Sequence, residues 1–488
     1  MSIENPSFSV REKWQASALQ QSAHRVLRLW SPLAGGKYPF LLIIGLWFIV
    51  SVPPALFHGY HYVEGLTVTI AQSALDDGNW ITPHLYNFRW VERPTLLSWV
   101  IAVICLPFGH VSPFVARLPV ILSLLTGAFL VWRALRPVAS PAAALFGAFS
   151  FLACPVVIRY YVTSVADLPL AVLLFGTFLI WWNAFVRERL SVGRWIGIGC
   201  LLAIAALMKG PQPVAYFMMG IFAFVVLTST WWQIPGLVLA GVLAAAPTAL
   251  WYAHVFVPGD QGEMLRYSRL SSQGVAWPRP LANAVEFFVA SLPAALLAAA
   301  LLLTPAFAVR RTVPRNYILA LSCYALACTS VILFWPADVN PRYVLPMVPP
   351  LCVLAGIAYD ALLERWPALV AGAISIVVGL LGYAVIHSAT DVLFRPAYIR
   401  SKIDAGKITD LVHNAPAPVY RTNWTSGMNE LPYTPFRVTT IRPEEMRTIP
   451  KPAWVVVPTE DAQAIIAQGD GRLTPRLELK RSILLRAE

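Results

Sequence analysis

Hydropathy divides the chain into long apolar runs joined by short polar segments. Runs close to the ~20 apolar residues that carry a helix across a bilayer occupy 38–57, 113–135, 140–158, 168–186, 194–208, 212–229, 232–256, 283–308, 316–335, 343–360 and 367–387. They predict an all-α polytopic membrane protein with about 11 spans. One more apolar stretch, 96–108, is shorter and lies between a charged segment and Gly109-His110. The basic joints decide how to read it. Arg11, Lys13, Arg25, Arg28 and Lys37 precede the first span; Arg133 and Arg136, then Arg187, Arg189 and Arg194, then Arg310, Arg311 and Arg315 occupy later joints. Short basic loops stay on the cytoplasmic side, and all four groups fall there only if 96–108 lies flat in the membrane interface.

The same choice collects 58–112, 159–167, 209–211, 257–282 and 336–342 on the opposite face. The first of these is long, and 64–75 is expected to form a helix before the Asp77-Gly-Asn79 turn signal. After His387 the composition turns polar and rich in Pro and basic residues, with strand-like runs at 454–457 and 484–485. The chain is therefore expected to divide into a transmembrane domain, 1–390, and a small soluble α/β domain of ~100 residues, 391–488, on that same face.

Composition narrows the class. The chain is 57% hydrophobic and only 13% charged, where a soluble globular protein carries roughly 25% charged residues. That excludes a soluble enzyme, a disordered chain and a coiled coil; long apolar runs in place of short alternating segments exclude a β-barrel. The net charge of +12 is read as positive-inside bias plus sites for phosphate groups, not as a nucleic-acid surface. Cys105, Cys154, Cys200, Cys323, Cys328 and Cys352 all sit in apolar runs without metal-ligand spacing and read as packing residues. The first apolar run begins only near Tyr38, so no cleavable signal peptide is expected.

Ionisable residues at the edge of a membrane are costly and mark function. Four clusters fall on the non-cytoplasmic rim: His58-Gly-Tyr-His61 with Glu64; Val91-Glu-Arg-Pro94; Arg159 to Asp167; and Lys209-Gly-Pro together with Asn340-Pro-Arg-Tyr343. Two carboxylates among several cations suit one reaction in particular. Cations bind the phosphate of a lipid-linked donor and stabilise it as a leaving group, and a carboxylate takes the proton of an attacking hydroxyl. That chemistry is glycosyl transfer from a polyprenyl-phosphate sugar. A proton-coupled transporter or lipid-sugar flippase also uses intramembrane charges, but holds them near mid-span, where this chain has few.

The run Glu64-Gly-Leu-Thr-Val-Thr-Ile-Ala-Gln-Ser-Ala-Leu-Asp-Asp-Gly-Asn-Trp-Ile-Thr-Pro-His-Leu, followed by Trp90-Val-Glu-Arg-Pro-Thr-Leu-Leu-Ser-Trp99, resembles the first outer loop of the GT-C glycosyltransferases. Within that group it is most similar to the lipid A aminoarabinose transferases and their protein O-mannosyltransferase relatives. Ala116-Arg-Leu-Pro119, Asp167-Leu-Pro-Leu170, Lys209-Gly-Pro211 and Arg342-Tyr-Val-Leu-Pro-Met-Val-Pro-Pro350 match in the same order, so the resemblance covers roughly the first 390 residues. It implies membrane-parallel helices in the first loop and an inverting transfer by a single in-line displacement. It also implies a polyprenyl-phosphate (undecaprenyl) sugar donor, a lipid or envelope-glycan acceptor, and an active site on the periplasmic face of the bacterial inner membrane.

Carried over residue by residue, the resemblance makes Glu64 and Asp167 the candidate catalytic carboxylates and Arg93, Lys209 and Arg342 candidate donor-phosphate ligands; Arg159 in the third rim cluster and Arg266 and Arg269 in the outer loop 257–282 join them as candidates by their charge and face. It leaves open whether a divalent metal takes part, with His58 and His61 as the residues that invite one, and Trp277 is a candidate for the sugar pocket. Two positions depart from the family pattern. Val63 stands where the family has the Asp of an Asp-Glu pair, and Arg93 stands for its Lys while keeping the charge. The first departure keeps a catalytically inactive homologue as an alternative, beside a protein O-mannosyltransferase-like enzyme and a transporter. Each carboxylate also has a plainer reading, Glu64 as complement to a helix dipole and Asp167 as a helix cap.

Overall fold

Proline and serine set where the helices begin. Proline has no amide hydrogen to lose in a first turn, and Pro39, Pro113, Pro141 and Pro155 each open a helix. Ser112, Ser140 and Ser191 cap theirs, accepting from the amides of Val115, Ala143 and Arg194. The computed structural model describes residues 10–36, 38–61, 63–257, 279–303, 314–334, 340–394, 396–423, 425–468 and 473–488.

The chain is a multi-pass helical membrane protein. Its helices are α1 (Val10–Gly35), α2 (Pro39–Phe57), α3 (Glu64–Asp77), α4 (Leu96–Cys105), α5 (Pro113–Leu135), α6 (Pro141–Ala153), α7 (Pro155–Tyr160), α8 (Asp167–Val186), α9 (Val192–Lys209), α10 (Gln212–Thr228), α11 (Ile234–Val255), α12 (Arg279–Ala290), α13 (Ala294–Leu303), α14 (Arg315–Leu333), α15 (Val348–Leu363) and α16 (Pro367–Phe394). Among the described residues eight helical stretches are long and apolar enough to cross a membrane: α2, α5, α8, α9, Trp231–Val255, α14, Pro341–Leu363 and Pro367–Ser388. Two other expected spans are the shorter apolar helices α6 and α10, and a third is a pair, Pro280–Ala290 and Ala294–Leu302, bent by 109°. Leu96–Phe108 is a short apolar helix as well. Helix α1, Val10–Gly35, occupies most of what sequence reads as a basic joint; it packs beside α6 and α16, with the Trp30 indole donating to the Ala142 carbonyl.

The spans share one core in which small residues such as Ala143, Ala144 and Ala148 are fully buried and let backbones approach. After the last span, α17 (Pro396–Asn414) leads into a five-stranded mixed sheet: β3 (Val419–Arg421), β4 (Val438–Thr440), β5 (Ala453–Pro458), β6 (Leu473–Glu478) and β7 (Ser482–Ala487), in the order β4-β3-β5-β7-β6. In β5 every residue is buried, and its alternation explains why. Val455 and Val457 face the core under α18 (Thr459–Gln468), whereas Trp454 and Val456 face the core that holds Ile408 and Val412 of α17. The first loop also contains a small hairpin, β1 (His84–Leu85) and β2 (Phe88–Arg89).

Candidate active site

Helix α3 is the front wall of a cavity at one end of the bundle. Its Val68, Ala71 and Ala74 pack on Leu97, Ile101 and Ala102 of α4, and Ser98 Oγ donates to the Thr67 carbonyl at 2.9 Å. The next turn of the surface, Val63, Leu66, Thr67 and Ile70, faces a partly open cavity. Opposite stand Val165, Ala166 and Asp167 at the start of α8, Met208 and Lys209 at the end of α9, and Arg342; Trp90 and 93–95 close the side.

Four of the eight candidate residues meet there: Arg93, Asp167, Lys209 and Arg342. Asp167 Oδ1 accepts from Lys209 Nζ, and its Oδ2 is 3.5 Å from Arg342 Nε. The Arg342 contact is an ion pair without a hydrogen bond, and among the described residues this buried Nε has no hydrogen-bond acceptor. Lys209 Nζ also sits 3.8 Å from the centre of the Tyr343 ring. Local geometry fixes each group. Gly210, at φ +87° and ψ −162°, takes a conformation closed to other residues and stops α9 directly after Lys209. Asn340 Oδ1 accepts from the Arg342 amide and from Tyr160 Oη, which aims the turn that carries Arg342. Tyr252 Oη donates to the Glu92 carbonyl beside Arg93.

Three cations thus face one carboxylate in a largely apolar cavity. Glu92, 3.9 Å from Arg93, reduces the surplus to one positive charge at the least. A cavity with that balance favours an anion with several acceptor oxygens.

Glu64 is elsewhere. It is fully buried behind the wall, and Val63 takes the cavity-facing place. Arg117 donates to both of its oxygens, Nε to Oε1 at 3.0 Å and Nη2 to Oε2 at 2.9 Å. The Ser164 amide adds a bond to Oε1 and the His61 amide one to Oε2, with the His61 Nδ1 also 3.0 Å from Oε2. The remaining Arg117 hydrogens go to the carbonyls of Ala55, His58 and Gly59, so five donors meet five acceptors. This hub pins the end of α2, the start of α3 and the segment before Asp167. Sequence reading quoted Arg117 only as part of a motif; the available signal was a lone arginine inside an apolar span, which has to be paired. Arg159 is exposed, 5.6 Å from the Tyr160 ring, and does not line the cavity. Arg266, Arg269 and Trp277 lie outside the described residues.

The His58 and His61 rings are 6.3 Å apart, and among the described residues no three His, Cys, Asp or Glu side chains gather as a metal site. Burial, then the charges of His61 and Arg117, bring the His58 pKa down from 6.5 to about 3. For Glu64, burial pushes upward, but Arg117 and His61 outweigh it and hold the carboxyl below its ordinary range. The sign for stability follows from linkage. Between pH 6.5 and about 3 the unfolded chain binds a proton at His58 that the folded chain excludes, so stability falls on acidification. The Glu64 contribution is present above the ordinary carboxylate range and is lost as pH falls from that range downward. Melting of the detergent-purified protein is expected to shift down from pH 7.5 to pH 5, and His58→Phe to make that shift shallower. An identical pH dependence in the variant would contradict the assignment.

Residues 92–252 match the family model described as dolichyl-phosphate-mannose-protein mannosyltransferase. The undecaprenyl phosphate-alpha-4-amino-4-deoxy-L-arabinose arabinosyl transferase of Enterobacter sp. is 24% identical over 45% of this chain and 40% of its own length. The enzyme of that name from Pectobacterium carotovorum is 31% identical over 30% of this chain and 28% of its own. The chain therefore spans about two fifths of the first relative and under a third of the second. The crystal structure of ArnT from Cupriavidus metallidurans bound to undecaprenyl phosphate superposes with a TM-score of 0.72 at 18% identity, over 92% of this chain and 98% of that one. The Archaeoglobus fulgidus oligosaccharyltransferase gives 0.55 at 13% identity, over 88% and 71%. In fold over nearly its whole length, and in sequence over the matched segment, the chain resembles the GT-C glycosyltransferases related to ArnT.

Proposed function

We propose that this protein is an inverting glycosyltransferase that moves a sugar from a polyprenyl-phosphate donor to a lipid or envelope-glycan acceptor at the periplasmic face of the bacterial inner membrane. The observation that carries the proposal is the cavity in which Arg93, Lys209 and Arg342 surround Asp167, with the buried Arg342 Nε lacking a hydrogen bond among the described residues. The donor's phosphate enters among the three cations, which neutralise the charge it gains as leaving group. In doing so it competes with Asp167 for Lys209 and Arg342, and the carboxylate becomes available as proton acceptor. The acceptor oxygen forms its bond to the anomeric carbon as the carbon–oxygen bond to the phosphate breaks. The acceptor proton passes to Asp167, and polyprenyl phosphate leaves. A single displacement inverts the anomeric centre. Glu64 serves this site by holding α3, not by facing the acceptor.

The family-model description favours a second reading, transfer to a polypeptide hydroxyl. Mass spectrometry of envelope lipids with and without the gene product separates the two. A sugar-sized mass missing from a lipid species supports the lipid acceptor; an unchanged lipid profile with a peptide acceptor that competes in membranes supports the second reading.

A further inference from the structure

The C-terminal domain grips the first loop at the cavity wall, and nothing in the transfer chemistry described above uses that grip. Gly65, the second residue of α3, lies against the segment that follows β3: a side chain there would collide with the Met428 carbonyl oxygen. The Gly65 amide faces Asn429 Oδ1 at 3.3 Å. Met428 itself packs on Leu66, Ile70 and Trp90, three residues that line the cavity. Five residues on, the Tyr433 ring stacks on Tyr60 at 4.4 Å between centroids, and its hydroxyl accepts from the Tyr60 amide at 2.9 Å. Tyr60 is also under the Arg117 guanidinium, 5.9 Å from its ring centre, and its carbonyl accepts from Ser401 Oγ.

A second seam locks the β1–β2 turn. Asn87 exchanges two hydrogen bonds with the Thr440 backbone, at 2.6 and 3.0 Å, and Arg421 stacks over Tyr86 while donating to the Leu85 carbonyl. The wall of the cavity is thus held from behind by residues of the C-terminal domain, 336 positions away at the Arg421–Leu85 bond and 373 at the Tyr433–Tyr60 bond.

We infer that the C-terminal domain is a positioning element of the transfer site, and that the turn 428–433 fixes the distance between α3 and the Asp167 side of the cavity. The inference rests on the proposed transfer reaction for its kinetic consequence only. None of the three phosphate-facing cations is on α3 or in the C-terminal domain: Arg93 precedes α4, Lys209 ends α9 and Arg342 precedes α15. Loosening the grip therefore leaves phosphate binding in place and degrades turnover, since a misplacement of ~1 Å remote from the reacting atoms costs up to ~100-fold in rate.

The test uses the full-length protein with Gly65→Ala and, should that variant fail to fold, Tyr433→Ala. Tyr433→Phe, which keeps the stacked ring, serves as conservative rescue. Three quantities are read: binding of undecaprenyl phosphate, the sugar-modified fraction of envelope lipid at matched expression, and hydrogen–deuterium exchange of the α3 amides. The expected result is roughly 10- to 100-fold lower transfer with undecaprenyl phosphate binding within threefold of the parent. Exchange should be faster in α3 but not in α4, and Tyr433→Phe should lie near the parent. Unchanged exchange in α3 would overturn the inference whatever the enzyme's substrate proves to be. So would undiminished transfer, or a loss of undecaprenyl phosphate binding in step with transfer, which a merely structural role predicts. If the parent protein neither binds undecaprenyl phosphate nor modifies lipid, the transfer reading fails, while the exchange result still decides the grip.

Discussion

Lys209→Met is expected to weaken undecaprenyl phosphate binding by on the order of 10- to 100-fold, because a hydrogen bond from a charged donor contributes ~1.5–3 kcal/mol. Lys209 is nearly enclosed, with 7% of its side chain exposed, and its ammonium faces the Asp167 carboxylate and the Tyr343 ring. Asp167→Asn is expected to behave oppositely. It removes the acceptor that competes with phosphate for Lys209 and Arg342, so binding stays or tightens. Transfer should nonetheless fall by roughly 100- to 10,000-fold through loss of the proton acceptor. The pair of variants separates a binding cation from a catalytic carboxylate. Parallel losses of binding and transfer in both would mean that the ion pair only holds α8 to α9.

The second large effect concerns stability. Arg117→Met takes from the buried Glu64 carboxylate its charge partner and two of its hydrogen bonds, and takes the Arg117 donors from three carbonyls. Removing one partner of a buried ion pair costs ~3–5 kcal/mol, whereas replacing both with apolar groups of similar volume is often nearly neutral. Melting in detergent should therefore show Arg117→Met as severely destabilised and Arg117→Met/Glu64→Leu as recovering much of the loss. Arg117→Lys should not rescue, because one ammonium has three donors for five acceptors. Additive losses in the double variant would contradict the account of the pair.

The all-helical membrane architecture was legible because apolar runs of span length need no tertiary information. So was the C-terminal sheet, whose strand runs at 454–457 and 484–485 lie in the adjacent β5 and β7. Asp167, Lys209 and Arg342 stood out as charges at span ends and Arg93 as one at the start of the interfacial stretch, and they share one cavity. Span lengths were less legible: α6 has 13 residues and α10 has 17, and a sharp bend divides 280–302, since packing and not hydropathy decides where a helix stops. Glu64 could not be placed from its motif, because the direction of a residue one step from Val63 depends on Arg117, 53 positions downstream. The grip of Tyr433 on Tyr60 spans 373 positions and leaves no local trace in the sequence.

The central claim is that the cavity is a prenyl-phosphate site built by cations around Asp167. Its most direct test compares undecaprenyl phosphate with undecaprenol, identical in chain and lacking the phosphate, in binding to the purified protein. The account predicts tight binding of the phosphate, at least ~100-fold weaker binding of the alcohol, and loss of that difference in Lys209→Met/Arg342→Met. Equal binding of the two lipids by the parent protein would contradict it.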